Sequence, residues 1–299
     1  MDTPFIPRLT NTDWNEEWIE LQGARNHPDD ASEWDARAAT FGSKHGSHGE
    51  YVGHFLDLAQ VLPGESVFDM GCGNGALATP LALAGHPVIA ADFSRSMLDV
   101  MLTDQAAKGA EGVTAIQMSW ADDWDAFGVT ENCVDVAFAS RSIITENLKD
   151  SLERLDRVAR RRVCITLPCS PSLRVDARVL EAAGLGGRLG RDFVYAFNIL
   201  AGMGIAPEVS YISSSRYDTF DSLEEAVGMY AKMVREAASQ LTDPAEITAI
   251  EANLENWLSA NLVANERAGE LGSDDKPEKA LRLASPHRVT WAFIAWKTR

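Results

Sequence analysis

Residues 66–76 read Ser-Val-Phe-Asp-Met-Gly-Cys-Gly-Asn-Gly-Ala, with three glycines at alternate positions directly after a short apolar run. Val67 and Phe68 suit a short buried strand, and Asp69 ends it. Gly71, Gly73 and Gly75 permit positive φ and let a ligand lie against bare backbone. Ala76-Leu77-Ala78 opens an apolar, helix-favouring run to Ala84, and Gly85 supplies a stop. Strand, glycine turn and helix in that order are how a doubly wound α/β sheet builds a nucleotide site at the carboxyl end of its first strand.

The spacing leaves two ligand classes open. Gly71-Cys72-Gly73-Asn74-Gly75-Ala76 satisfies the dinucleotide pattern G-x-G-x-x-G/A. Asp69 discriminates between them. A carboxylate at the strand tip repels a pyrophosphate and attracts a ligand carrying an ammonium and a sulfonium.

The run Val67-Phe68-Asp69-Met70-Gly71-Cys72-Gly73-Asn74-Gly75 resembles motif I of the class I S-adenosylmethionine-dependent methyltransferases. Asp92, in Val88-Ile89-Ala90-Ala91-Asp92-Phe93-Ser94, is similar to the acid that ends that family's second strand. Ser94-Arg95-Ser96-Met97-Leu98 resembles the start of the following helix. The resemblance implies a Rossmann-like, doubly wound, seven-stranded sheet with strand 7 antiparallel. It implies S-adenosylmethionine as cofactor and S-adenosylhomocysteine as product. Asp69, Gly71, Cys72, Gly73 and Gly75 would hold the methionine portion, Asp92 the ribose, with Phe93 and Met97 alongside. In the family the turn after the third strand receives the adenine, which here is Ser119-Trp120-Ala121-Asp122-Asp123-Trp124. The commonest pattern has an Asp directly before the Ala; this chain has Trp120, either a stacking wall or a core aromatic. Asp122 is the expected acceptor for the exocyclic amine. Asn198-Ile199-Leu200, Met203-Gly204-Ile205 and the Trp-rich terminal strand are similar to a small-molecule-type bacterial and archaeal subgroup.

Ser140 and Arg141 leave the fourth strand, where cofactor and substrate meet in such a sheet. Arg141 could bind a substrate carboxylate or phosphate, or form a salt bridge to Asp69, Asp135 or Glu146. Tyr51, on a helix before the first strand, is a candidate lid residue. Tyr195 and Asn198, three apart on one helical face, are further candidates for the substrate pocket. His45 and His48 flank glycines and read as members of a solvated loop.

The formal charge is −17 with a pI near 4.7, which disfavours a nucleic-acid partner because phosphate contacts need Lys and Arg. Every apolar run is broken before ~20 residues, so no membrane span is expected. The opening Met1-Asp2-Thr3-Pro4 does not resemble a signal peptide, and a cytoplasmic location is expected. Cys72, Cys133, Cys164 and Cys169 form no C-x-x-C pair, so no metal site is expected; Cys169, past a strand end, is a candidate reactive thiol.

The remaining pattern predicts strands at 66–70, 87–92, 113–118, 134–139, 162–167, 207–213 and 288–297. Predicted helices include 32–41, capped by Ser32, 51–62, 75–84, 95–108, 122–127, 147–158, 193–203, 223–240 and 244–262. Trp14 and Trp18, one turn apart, predict a helix stapled to the body. Arg160-Arg161-Arg162 reads as a solvated helix end. The expected organisation is a helical cap at 1–62, a cofactor-binding core at 63–213, a helical insertion at 214–287 and a final core strand at 288–299. The expected function is methyl transfer to a small-molecule acceptor by in-line displacement, with no catalytic base named. The competing readings are a non-catalytic S-adenosylmethionine sensor or partner subunit, an NAD(P)-dependent oxidoreductase, and a protein methyltransferase.

Overall fold

Short apolar runs separated by amphipathic helices bury both faces only when the helices cover a parallel sheet from two sides. The computed structural model has that arrangement. It describes residues 8–25, 31–41, 46–169, 176–185, 191–237, 243–272 and 276–298. Ahead of the first strand come α1 (Arg8–Asn11), α2 (Trp14–Arg25), α3 (Ala31–Phe41) and α4 (Gly46–Ala59). Strands and helices then alternate: β1 (Val67–Met70), α5 (Ala78–Leu83), β2 (Val88–Asp92), α6 (Arg95–Lys108), β3 (Val113–Gln117), a single 3₁₀ turn (Trp124–Phe127), β4 (Val134–Ser140), α7 (Leu148–Val158) and β5 (Ala159–Pro168). Next follow α8 (Ala177–Ala182), α9 (Asp192–Gly202), β6 (Glu208–Arg216), β7 (Thr219–Phe220), α10 (Leu223–Ala237), α11 (Pro244–Asn261), β8 (Leu262–Ala264), β9 (Leu281–Leu283) and β10 (His287–Lys297).

The main sheet runs β3-β2-β1-β4-β5-β10-β6, and β10 lies antiparallel between β5 and β6. All seven predicted strands are therefore present, with the last one reversed. Alternation assigns the two faces. In β4, Val136 and Phe138 face α4, α5 and α6, whereas Ala137 and Ala139 face α7 and α9. β10 does the same with Trp291, Phe293 and Ala295 against Ile294 and Trp296. Trp18 of α2 is fully buried on the second face and donates from Nε1 to the Thr145 carbonyl at 2.8 Å, which is the expected staple.

The segment between β6 and β10 contains α10 and α11, and also three short strands in the order β7-β9-β8. With α8 they enclose a separate core of Val179, Leu180, Phe220, Tyr230, Leu254 and Leu283. Among the described residues no helix is long and apolar enough to cross a membrane.

Local readings are corrected at several points. Gly75 has φ +79°, so α5 starts at Ala78 rather than at 75. α4 starts at Gly46, through part of the stretch read as a loop, and Ser32 lies inside α3 rather than capping it. Arg160, Arg161 and Arg162 are not a helix end but the opening of β5, because each meets an acid brought in from elsewhere. Arg160 reaches Asp135 at 2.8 Å, Arg161 pairs with Glu65, and buried Arg162 reaches Glu208 at 2.9 Å.

Candidate active site

The turn after β1 is strapped across the end of β2. The N–H groups of Gly71 and Cys72 both donate to the Ala91 carbonyl, at 2.7 and 3.0 Å. Gly71, Gly73 and Gly75 have φ of +72°, +55° and +79°, in the left-handed region open to glycine. Their surroundings differ. A Cβ on Gly71 would lie 2.3 Å from Ser142 Cβ, and one on Gly75 would lie 2.4 Å from Met101 Cγ. A Cβ on Gly73 would meet nothing within 4 Å. Packing thus requires glycine at 71 and 75, while the backbone at 73 faces open space where a ligand can approach.

Asp69 lies at the tip of β1, 2% exposed, and its Oδ2 is buried with no hydrogen-bond partner. Burial, reinforced by the nearby Asp92 charge, pushes its carboxyl up to about 7, with Arg141 acting in the opposite direction. A buried carboxylate oxygen left unpaired costs stability. Such an atom marks a place for a cationic group. Asp92 is also buried, but its oxygens accept from the N–H groups of Gly73 at 2.8 Å and Ser94 at 2.9 Å. It thereby fixes both the glycine turn and the start of α6. Ser94 caps α6 and donates to Asp35 of α3 at 2.5 Å, and Asp35 also accepts from the Ser96 N–H at 3.2 Å. The cap of α6 thus anchors a helix from the N-terminal segment beside Asp92.

At the next strand end, Tyr51 of α4 is 3% exposed, and its hydroxyl lies 2.8 Å from both Ser140 Oγ and Thr166 Oγ1. Thr166 Oγ1 also accepts from the Arg141 N–H at 3.0 Å. The Arg141 guanidinium sits 4.5 Å above the Tyr51 ring. Among the described residues it makes none of the salt bridges weighed for it, with Asp69, Asp135 or Glu146. The Tyr51→Phe change leaves the buried Thr166 hydroxyl and the half-buried Ser140 hydroxyl to find new partners, and is expected to lower unfolding stability by about 1–3 kcal/mol in urea denaturation.

The other predicted residues are distributed as follows. Trp120 is partly buried against the core, tilted on Trp124 at 5.5 Å, with its Nε1 donating to the Ser142 carbonyl at 2.9 Å. Asp122 Oδ2 accepts from the Ser119 N–H at 2.7 Å and so closes the turn that carries exposed Ala121. Phe93 is half-buried, its carbonyl accepting from Gln117, and Met97 is buried in the first turn of α6. Cys72 is buried within the glycine turn. Tyr195 donates to Glu17 at 2.8 Å and packs edge-on against Trp14 and Trp18; Asn198 donates to the Val194 carbonyl one turn back at 2.8 Å. These two therefore bind α2 to α9 and bind α9 to itself; neither touches Tyr51, Ser140 or Arg141. His45 and the His48 side chain lie outside the described residues. Burial pushes the half-buried Cys169 thiol up, which opposes the reactivity expected of it.

Three residues of this site escaped the sequence reading. Thr166 and Ser142 orient Arg141 and the glycine turn, and Asp35 secures the cap beside Asp92. Thr166 lay within a predicted strand, where alternation alone assigned it a face but no partner. Ser142, whose hydroxyl donates to the Met70 carbonyl at 2.6 Å, carried no motif signal.

Residues 67–162 match the family model described as a methyltransferase domain. An uncharacterized protein of Haemophilus influenzae is 33% identical over 182 residues, covering 60% of this chain and 66% of that protein, so the match spans slightly under two thirds of the relative's length. Among solved structures, the YcgJ protein of Bacillus subtilis is similar with TM-score 0.50 and 14% identity, over 84% of this chain and 99% of that one. A Bacillus halodurans protein described as a methyltransferase candidate gives TM-score 0.49 and 12% identity, over 83% and 98%. Residues 67–162 of this chain are thus similar to a methyltransferase domain, and they lie in a mixed sheet whose one reversed strand sits beside the edge.

Proposed function

We propose that the chain transfers a methyl group from S-adenosylmethionine to a small-molecule acceptor. The observation that carries this reading is the orphaned, buried Oδ2 of Asp69 beside a glycine turn whose middle residue opens outward. Those residues fit the cofactor. Asp69 would pair with its ammonium, the Gly71–Gly75 backbone would lie under its methionine portion, and Asp92 would take the ribose hydroxyls. Trp120 and Asp122 would bound the adenine. When bound, S-adenosylmethionine supplies a methyl group on a sulfonium, open to in-line attack by the acceptor. The protein's part is to align the acceptor and exclude water, which requires no general base when the acceptor is already nucleophilic. In this reading residues 1–62 and the insertion 214–287 cover a cofactor-binding core formed by 63–213 and the final strand 288–299.

Calorimetry with S-adenosylhomocysteine and with NADH tests the cofactor. Saturable binding of the first alone is expected; binding of NADH alone would overturn the reading. Transfer of radiolabelled methyl across a panel of small acceptors separates an enzyme from a sensor, and a basic peptide in the same panel addresses a protein substrate.

The titration of Asp69 adds a pH signature. Its carboxyl is held up to about 7 in the free protein, whereas an ammonium partner requires the ionised form. Binding of S-adenosylhomocysteine should therefore release a proton near neutrality and tighten as pH rises from about 6 to 8. Calorimetry in two buffers of different ionisation enthalpy reads the proton release. A pH-independent affinity would count against Asp69 as the ammonium partner.

A further inference from the structure

The chain carries a formal charge of −17, yet the side chain at the exit of β4 is an arginine. Arg141 has φ +61°, a left-handed backbone that costs a non-glycine residue on the order of 1 kcal/mol. Contacts from distant elements hold it there. Its N–H donates to Thr166 Oγ1 at 3.0 Å, and its guanidinium carbon lies over the Tyr51 ring, 4.5 Å from the centroid. Thr166 and Tyr51 are both buried and are joined to each other at 2.8 Å, while Ser140 holds the Tyr51 hydroxyl at the same distance. The contact with the ring uses none of the guanidinium N–H donors as hydrogen-bond donors. Among the described residues those N–H groups donate to no acceptor, whereas Arg160, Arg161 and Arg162 of the adjacent strand are all paired. The Arg141 side chain is exposed, yet it is set on a strained backbone and on buried supports.

Position along the row of strand ends decides what this cation faces. The order is β2, β1, β4, with neighbours ~4.8 Å apart. Asp92 ends β2 and Asp69 lies near the end of β1. Arg141 follows β4, one strand beyond the acids assigned to the cofactor and on the side away from the ribose acid. We propose that Arg141 is the receptor for an anionic group, a carboxylate or phosphate, on the methyl acceptor. The N–H edge of the guanidinium grips that group in a two-pronged contact while the Tyr51 face keeps the fork oriented. The inference rests on the methyltransferase reading for the location of the donor. A second anion is also within reach, the cofactor's own carboxylate, and the test separates the two.

Wild-type protein and the Arg141→Gln variant are titrated with S-adenosylhomocysteine by calorimetry. The loaded proteins are then titrated with acetate, inorganic phosphate and, as a neutral control, glycerol, following the backbone amide of Ser142 and the arginine Nε–H resonances by NMR. Arg141→Lys keeps the charge and serves as the folding control; it should retain saturable phosphate binding. The expected result is an S-adenosylhomocysteine affinity changed by less than about threefold, with a saturable acetate or phosphate shift in the wild type that Arg141→Gln loses. Loss of about tenfold or more in S-adenosylhomocysteine affinity in Arg141→Gln would overturn the proposal, since the anion would then be the cofactor's. So would the absence of a saturable anion shift, or an equal response to glycerol. If the wild type fails to bind S-adenosylhomocysteine at all, the methyltransferase reading is what fails. The same anion titration on the unloaded protein then decides the arginine: a saturable shift lost in Arg141→Gln upholds the anion receptor, and no shift ends it.

Discussion

Replacing Asp69 by asparagine is expected to weaken S-adenosylhomocysteine binding by about a hundredfold or more, and at the same time to stabilise the unliganded protein. The binding loss follows from removing a desolvated charge partner, an interaction of about 3 kcal/mol when charge-assisted and buried. The stability gain follows from linkage. The Asp69 carboxyl is held up to about 7 in the folded chain, against an ordinary value of 3.8, so the folded state resists its ionisation. Its contribution is neutral below the unfolded value. It becomes unfavourable as pH rises through the window from about 4 to about 7, and approaches roughly 4 kcal/mol above that window. Asparagine has nearly the same shape and no ionisation to resist. Urea denaturation at pH 5 and pH 8 should therefore show the variant gaining at pH 8 and little at pH 5. A variant that binds as tightly as the wild type would remove Asp69 from the cofactor site. A variant that loses stability at both pH values would mean that the unpaired oxygen is not a cost to the fold.

The second large effect separates two glycines of the same turn. Gly71→Ala places a methyl 2.3 Å from Ser142 Cβ at φ +72°, and both the backbone and the β4 exit must move. That is expected to cost roughly 2–4 kcal/mol, lowering Tm by on the order of 5–10 °C. Gly73→Ala has no such neighbour within 4 Å. Its cost to the fold is the left-handed backbone alone, about 1 kcal/mol. Its methyl instead projects into the space proposed for the cofactor, so S-adenosylhomocysteine binding should fall by about tenfold or more from a well-folded protein. Differential scanning calorimetry and titration calorimetry on the two variants read the two effects. If Gly73→Ala unfolded the chain and Gly71→Ala were tolerated, the assignment of packing and ligand faces would be reversed.

The seven strands of the main sheet and the glycine turn were legible because their causes are local. A run such as Val-Phe-Asp-Met, followed by glycines at alternate positions, carries its own periodicity and its own backbone permission. The caps were not legible in this way: Ser32, read as one, lies inside α3, whereas Ser94, Asn147, Asp123 and Asp243 each accept from an N–H two or three residues ahead. Readings that depended on what faces a side chain fared differently. Tyr195 and Asn198 share a helical face, but α2 brings Glu17, Trp14 and Trp18 against Tyr195. The basic run Arg160-Arg161-Arg162 has the composition of a helix end and is strand, because three acids distant in the chain neutralise it.

The chain's sequence by itself determined the seven strands of the main sheet and the two acids at the strand tips, since each is written in a short run of consecutive residues, but not the three short strands of the insertion. Only the tertiary structure decided that Asp69 keeps an unpaired oxygen and that Thr166, Ser140 and Tyr51 converge beneath Arg141. Those properties are desolvation and partner geometry, and both arise only when strands and helices far apart in the chain exclude water from the same small volume.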